Sequence, residues 1–261
     1  MSVHDASAWV FNRMADVYDA RPPYPPALVE ALCQLAGTAG SRIGDIGAGI
    51  GHLSLPLAAR GFALTAIDPA QAMLARLQAR ANEQGLAIRT VHAAAEALPL
   101  ESGSLDLVLI ADALHFIDTE LAAREIARVL VPRGTLAVLT CELGSTPFMR
   151  ELVTLMEESA PRRPRALAMR RAQLSGIARA PLAHELRFQD ETPISPLQLE
   201  RVLASISFIG PAMNVQRTAA FRERLHALPS PAVWARSFSL RWGKRHRSPA
   251  LPVAHSPSSS V

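Results

Sequence analysis

The residues best suited to chemistry sit in and just beyond one glycine-rich turn. Ile43-Gly44-Asp45-Ile46-Gly47-Ala48-Gly49-Ile50-Gly51 reads as a buried strand that ends in a turn and opens into a helix, His52 to Arg60. Ile43 and Ile46 are β-branched and apolar, as such a strand requires. Gly47, Gly49 and Gly51 remove side chains where the backbone turns sharply and a ligand must approach it closely. Alone, G-x-G-x-G is a weak signature, because dinucleotide-binding proteins use the related G-x-G-x-x-G. Asp68 sharpens it: an acid about 20 residues past a glycine turn is placed to accept hydrogen bonds from ribose hydroxyls. His115 follows a later apolar strand, and an imidazole there titrates near neutral pH as a general base would.

These residues need a scaffold that brings them to one edge. The stretch FALTAID is a second strand, ending in Asp68 and followed at once by Pro69. AQAMLARLQARANEQG is a helix with Met73, Leu74 and Leu77 on one face and a stop at Gly85. A short third strand covers Ala87 to Val91, a fourth Leu105 to Ile110, and a fifth Thr135 to Cys141 after the helix Thr119 to Leu130. Strands alternating with helices of these lengths predict an α/β fold, a parallel sheet with helices on both faces. Ligands of such sheets bind beyond the carboxyl ends of the strands. Gly47, Asp68, Ala95, Ala111 and Glu142 would all lie on that edge.

The order D-I-G-A-G-x-G, an acid ending the second strand, A-E-x-L-P (95–99), S-x-D-L-V (104–108) and V-P-R-G-T (131–135) resembles class I S-adenosylmethionine-dependent methyltransferases. The closer likeness is to their small-molecule branch (methyltransferase type 11), with ubiquinone/menaquinone C-methyltransferase and trans-aconitate methyltransferase relatives. The segment FNRMADVYDARPPYP (11–25), Ala204–Ser207 and the strand FSLRW (238–242) are similar to that branch as well. The resemblance implies a Rossmann-like, mostly parallel seven-stranded sheet whose last strand is antiparallel, with a small helical cap. It implies S-adenosyl-L-methionine as cofactor and a small-molecule acceptor. Gly47, Ala48, Gly49 and Asp45 would hold the methionine end, with Tyr18 and Arg21 closing over it and Arg21 pairing with the carboxylate. Asp68 and Pro69 would flank the ribose, and Met73, Ala95 and Glu96 would meet the adenine. Many relatives carry Asp two residues before that Glu, where this chain has Ala94.

Methyl transfer from a sulfonium is an in-line displacement, and holding the reactants in line can supply roughly 7–11 kcal/mol. A base is needed only for a protonated acceptor; His115 is the first candidate, Tyr18 the second, with Asp112 and Glu142 behind them. Plainer roles stay open: His115 and Met73 as packing, Asp45 and Glu96 as ordinary acids, Arg21 as a tie for the proline-rich segment. Two other functions stay open as well. One is S-adenosylmethionine binding without transfer, for a rearrangement, a cyclisation or regulation. The other, a nicotinamide oxidoreductase, is disfavoured by the missing G-x-G-x-x-G.

The 261 residues allow one sizeable core with a cap. The expected layout is a catalytic domain over 1–243, with a helical lid in 1–40, an acceptor-side cap within 143–235, and a disordered basic Ser/Pro tail from 244. No run approaches the ~20 apolar residues of a membrane helix, and the start lacks a secretory pattern. Two cysteines, Cys33 and Cys141, fit reduced thiols in a cytoplasm and offer no metal-ligand spacing. Lysine occurs once, so the net charge of +4 is carried by arginine, which suits a GC-rich bacterial genome; the expected setting is bacterial specialised metabolism. Arg162, Arg163, Arg165, Arg170 and Arg171 cluster, as do Arg241 to Arg247. Without aromatic interleaving or a recognition motif they do not predict nucleic-acid binding. A monomer or homodimer is expected. Phe148, Met149, Met169, Phe208, Ile209, Met213 and Asn214 are the expected lining of a small, partly hydrophobic acceptor site, and 160–182 reads as a connection.

Overall fold

The computed structural model describes residues 10–160, 165–209, 215–228 and 230–246. Met213, Asn214 and the tail beyond 246 lie outside them, as do Arg162 and Arg163. The described residues open with two 3-10 turns, Val10–Arg13 and Tyr18–Ala20, and helix α1, Pro26–Ala36. There follow β1 (Arg42–Ile46), α2 (Ser54–Ala58), β2 (Ala63–Asp68), α3 (Gln71–Glu83), β3 (Ile88–His92) and β4 (Leu105–Ala111). A short turn, Leu114–Phe116, leads to α4 (Thr119–Val129) and β5 (Leu130–Leu143). The cap helices α5 (Pro147–Ser159) and α6 (Leu167–Ile177) precede β6 (His184–Pro193). Helices α7 (Pro196–Ala204) and α8 (Val215–His226) precede the closing strand β7 (Val233–Lys244).

The strands form one seven-stranded sheet in the order β3-β2-β1-β4-β5-β7-β6. The first five run parallel, and β7 is antiparallel to both of its neighbours. The order reverses between β1 and β4, which opens a crevice at their carboxyl ends. Period-two burial explains the two helical layers. Along β4, Leu107 and Leu109 join α1, α2 and α3 in one apolar cluster, while Val108 and Ile110 join α4 and α6 in another. Helices α5, α7 and α8 build a third cluster around Trp234, the small helical cap.

Several boundaries differ from the sequence expectation. The helix after the glycine turn starts at Ser54, because Gly51 and two further residues are spent completing the turn. The stretch expected as a connection contains α6, whose Leu174 and Ala178 are fully buried beneath α4. Strand β6 pairs with β7 in a ladder that runs from His184 to Pro193. Cys33 and Cys141 lie in α1 and β5 as free thiols.

Candidate active site

The carboxyl edge of β1, β2, β4 and β5 opens into a cavity of about 240 Å³. Its floor is the glycine turn. The Gly47 and Ala48 amides both donate to the Ile67 carbonyl, at 2.8 and 3.1 Å, which hooks the turn onto the end of β2. Gly47 has φ +75°, and a Cβ there would stand 2.5 Å from the Ala113 Cβ, so only glycine fits. Asp68 clasps the turn from the other side: its carboxylate accepts from the Gly49 amide at 2.9 Å and from the Ala70 amide at 2.8 Å. Burial raises the Asp68 pKa, and those two amides pull it back.

Asp45 lies deeper. One of its oxygens accepts from the Ser54 hydroxyl at 2.6 Å. The other, Oδ1, is buried with no hydrogen-bond partner among the described residues. Burial, with the Asp68 charge adding to it, pushes the Asp45 carboxyl up to about 6. His52 shows the opposite shift: burial, then the Arg80 and Arg21 charges, lower it to about 4. Its Nε2 is likewise buried without a partner among the described residues.

The N-terminal segment roofs the cavity. Tyr18 lies over the turn, 3.7 Å from where a Gly49 Cβ would be. The Arg21 guanidinium stacks 4.1 Å above the Tyr18 ring centroid and donates to the Ser205 hydroxyl and carbonyl at 2.9 and 2.7 Å. Asp19 bridges to Arg76 of α3 and Arg201 of α7 at 3.1 and 3.0 Å. The carbonyls of Pro22 and Pro23 accept from Arg236, which also pairs with Asp190.

The cofactor candidates Tyr18, Arg21, Asp45, Gly47, Ala48, Gly49, Asp68, Pro69, Met73, Ala95, Glu96 and Ala111 and the base candidates His115 and Asp112 line this one cavity, whereas Glu142 does not, although its neighbours Cys141 and Leu143 do. Met73 is also buried against Ala15 and Ile50. Glu96 accepts from the Asp118 amide at 2.6 Å, which fixes one of its oxygens. The acceptor lining expected from the sequence is largely corrected. Phe208 faces the cavity, whereas Phe148, Met149 and Ile209 are packed inside the cap cluster. Met169 is exposed, because its helix turns that side to solvent. The space is walled instead by Phe11, Tyr24, Phe116, Trp234, Asp112 and Arg165, among others. Arg165 and Asp112 form an ion pair of 2.9 Å, and Arg170 is spent on the Ile117 carbonyl at 2.7 Å, so the arginine cluster is not a uniform solvated face. No signal in the sequence pairs residues 112 and 165, since 53 positions separate them.

Among the described residues no cluster of His, Cys, Asp or Glu is placed to hold a metal, and no helix is long and apolar enough to cross a membrane. The strand order, the antiparallel β7 and the glycine turn under the reversal point define the Rossmann-like methyltransferase fold. Residues 44–138 match the methyltransferase domain family. An uncharacterized methyltransferase of Mycobacterium tuberculosis is 40% identical over 130 residues, covering 49% of this chain and 51% of that protein. The chain thus spans about half the length of the curated relatives it matches. The solved YcgJ protein of Bacillus subtilis superposes with a TM-score of 0.58 at 18% identity, covering 84% of this chain and 98% of its own. A geranyl diphosphate C-methyltransferase of Streptomyces coelicolor, solved with S-adenosyl-L-homocysteine, superposes with a TM-score of 0.51 at 16% identity, covering 84% and 75%.

Proposed function

We propose that the protein uses S-adenosyl-L-methionine to methylate a small, partly hydrophobic organic acceptor. The observation that carries this reading is the clasp of Asp68 on the glycine turn beside the unpartnered Asp45 oxygen. The residues present fit the cofactor: side-chain-free backbone for close approach, an acid for ribose hydroxyls, and a buried acceptor atom facing the cavity. S-adenosylmethionine, when bound, supplies an electrophilic methyl on a sulfonium.

In this reading Asp68, with Pro69 beside it, orients the ribose; each carboxylate oxygen accepts more than one hydrogen bond, so the amide contacts are kept. Asp45 and the backbone of Gly47, Ala48 and Gly49 hold the methionine end. Arg21 has guanidinium donors beyond those given to Ser205 and faces the cavity, where it pairs with a carboxylate. Met73, Ala95 and Glu96 receive the base, and Ala111 closes the floor between donor and acceptor. Burial raises the Tyr18 pKa, so its phenol stays protonated at neutral pH and acts as a hydrogen-bond donor rather than a base. His115 lines the acceptor side with its ring 3.9 Å from that of Phe116 and is carried as wall and candidate base. The setting we favour is small-molecule biosynthesis in a bacterial cytoplasm, on the arginine-for-lysine composition and the two separate thiols.

The test is incubation with methyl-labelled S-adenosylmethionine and extracts or libraries of small organic acceptors. Methyl transfer yields S-adenosylhomocysteine in equal amount to a product heavier by one methyl. Cofactor consumption with no such mass gain contradicts the reading and favours a non-transfer role.

A further inference from the structure

Aromatic rings line the cavity far beyond their share of the composition. The chain has 3 Trp, 2 Tyr and 8 Phe, and Trp234, both tyrosines, Phe11, Phe116 and Phe208 line this one space. Phe11 meets Phe116 and Tyr18 edge to face, with centroids 5.1 and 6.3 Å apart. Walls of this kind select a flat π-system, which can stack on ring faces or meet their edges.

The charged pair Asp112–Arg165 is set into that apolar slot. Asp112 follows β4 at φ +47°, and its amide donates to the Leu139 carbonyl at 2.9 Å. A left-handed conformation in a non-glycine residue is strained and persists only where the surroundings fix it. The Asp112 charge is felt by Tyr18, Tyr24 and Cys141, and it adds to the burial that raises all three. Cys141 is pushed up to about 12. Tyr18, Tyr24 and Cys141 therefore keep their protons near neutral pH, while Arg165 contacts Asp112 directly. The Arg165 bond fixes the orientation of the carboxylate.

Resting on the methyl-transfer reading above, we propose that the acceptor is a planar aromatic compound methylated on a ring-borne hydroxyl, with Asp112 accepting the hydroxyl proton and Arg165 positioning Asp112. The acceptor oxygen bonds to the methyl carbon as the carbon–sulfur bond breaks. The bonding pair stays on sulfur, and the proton passes to an Asp112 oxygen, from which it leaves to water. His115, its ring tilted 40° against that of Phe116, belongs to the wall in this proposal.

The experiment uses the full chain with S-adenosylmethionine and, as probes, 2-naphthol, 4-nitrophenol and cyclohexanol, reading S-adenosylhomocysteine release at pH 8.5. Turnover is expected on the two aromatic hydroxyls and not on cyclohexanol. Asp112→Asn is expected to lower kcat about 100-fold on 2-naphthol and much less on 4-nitrophenol, which is already ionised at that pH. Arg165→Ala is expected to lower kcat on 2-naphthol with little change in KM, and Arg165→Lys to recover part of it. Calorimetric binding of S-adenosylhomocysteine, unchanged in each variant, shows that the fold is intact. Equal losses of Asp112→Asn on both hydroxyls overturn the proposal. So does a loss that tracks acceptor ionisation in His115→Asn instead. A wild-type protein that binds the cofactor yet turns over no aromatic hydroxyl overturns the acceptor class alone. One that binds no cofactor contradicts the methyl-transfer reading itself.

Discussion

At the residue scale, two buried groups on the cavity floor oppose each other. Asp45 rises from 3.8 to about 6, so between those values the folded protein holds a proton that the unfolded chain has lost. Its stabilising effect is complete below pH 3.8 and lost as pH rises through 6. His52 falls from 6.5 to about 4, so the folded protein lacks a proton that the unfolded chain holds. Its effect is present above 6.5 and lost as pH falls through 4. At 1.36 kcal/mol per unit each amounts to about 3 kcal/mol, with opposite signs over nearly the same window. Wild-type stability in denaturant should therefore change little from these two groups between pH 4 and 6.5. Asp45→Asn should leave the His52 slope, stability rising with pH; a flat Asn variant contradicts the balance. Asp68→Ala should weaken S-adenosylmethionine binding by about 1–3 kcal/mol, and an unchanged dissociation constant would remove its ribose role. Asp45 and Asp68 were legible in the sequence because both lie within one local motif. Asp112 with Arg165 was not, because an ion pair between two loops leaves no periodic trace.

At the scale of elements, the roof of the cavity is fastened by contacts of unequal worth. Asp19 reaches Arg76 and Arg201, but all three side chains are substantially exposed, and such pairs contribute about 0–1 kcal/mol. Arg236 is buried, and it serves Asp190 and two backbone carbonyls at once. Removing it strands a half-buried carboxylate and two acceptors, a loss of roughly 3–5 kcal/mol. Chemical denaturation should therefore show Asp19→Asn near wild type and Arg236→Ala strongly destabilised; similar values for both would refute this ranking. The strands up to β5 were readable from apolar runs punctuated by glycine and proline. Helix α6 was not, because its sequence, LAMRRAQLSGI, has arginines and a glycine that break the apolar stripe. It is held by burying Leu174 and Ala178 under α4, a tertiary gain that outweighs weak local preference.

At the scale of the molecule, the parallel half-sheet supplies the cofactor edge and the cap supplies the acceptor walls. The first was foreseeable, since alternating strands and helices constrain their own topology. The second was foreseeable only at Phe208: cap residues face the cavity or the cap core according to how three helices pack, which moved Phe148 and Met149 inward and brought Trp234 to the wall. A site divided this way should bind the cofactor without an acceptor present. The central claim is tested most directly by calorimetric titration of the purified protein with S-adenosylmethionine and S-adenosylhomocysteine, with NADH as control. Micromolar binding of the first two and none of NADH is the expected result. No binding of either sulfur ligand would contradict the account, leaving the glycine turn as a feature of the fold alone.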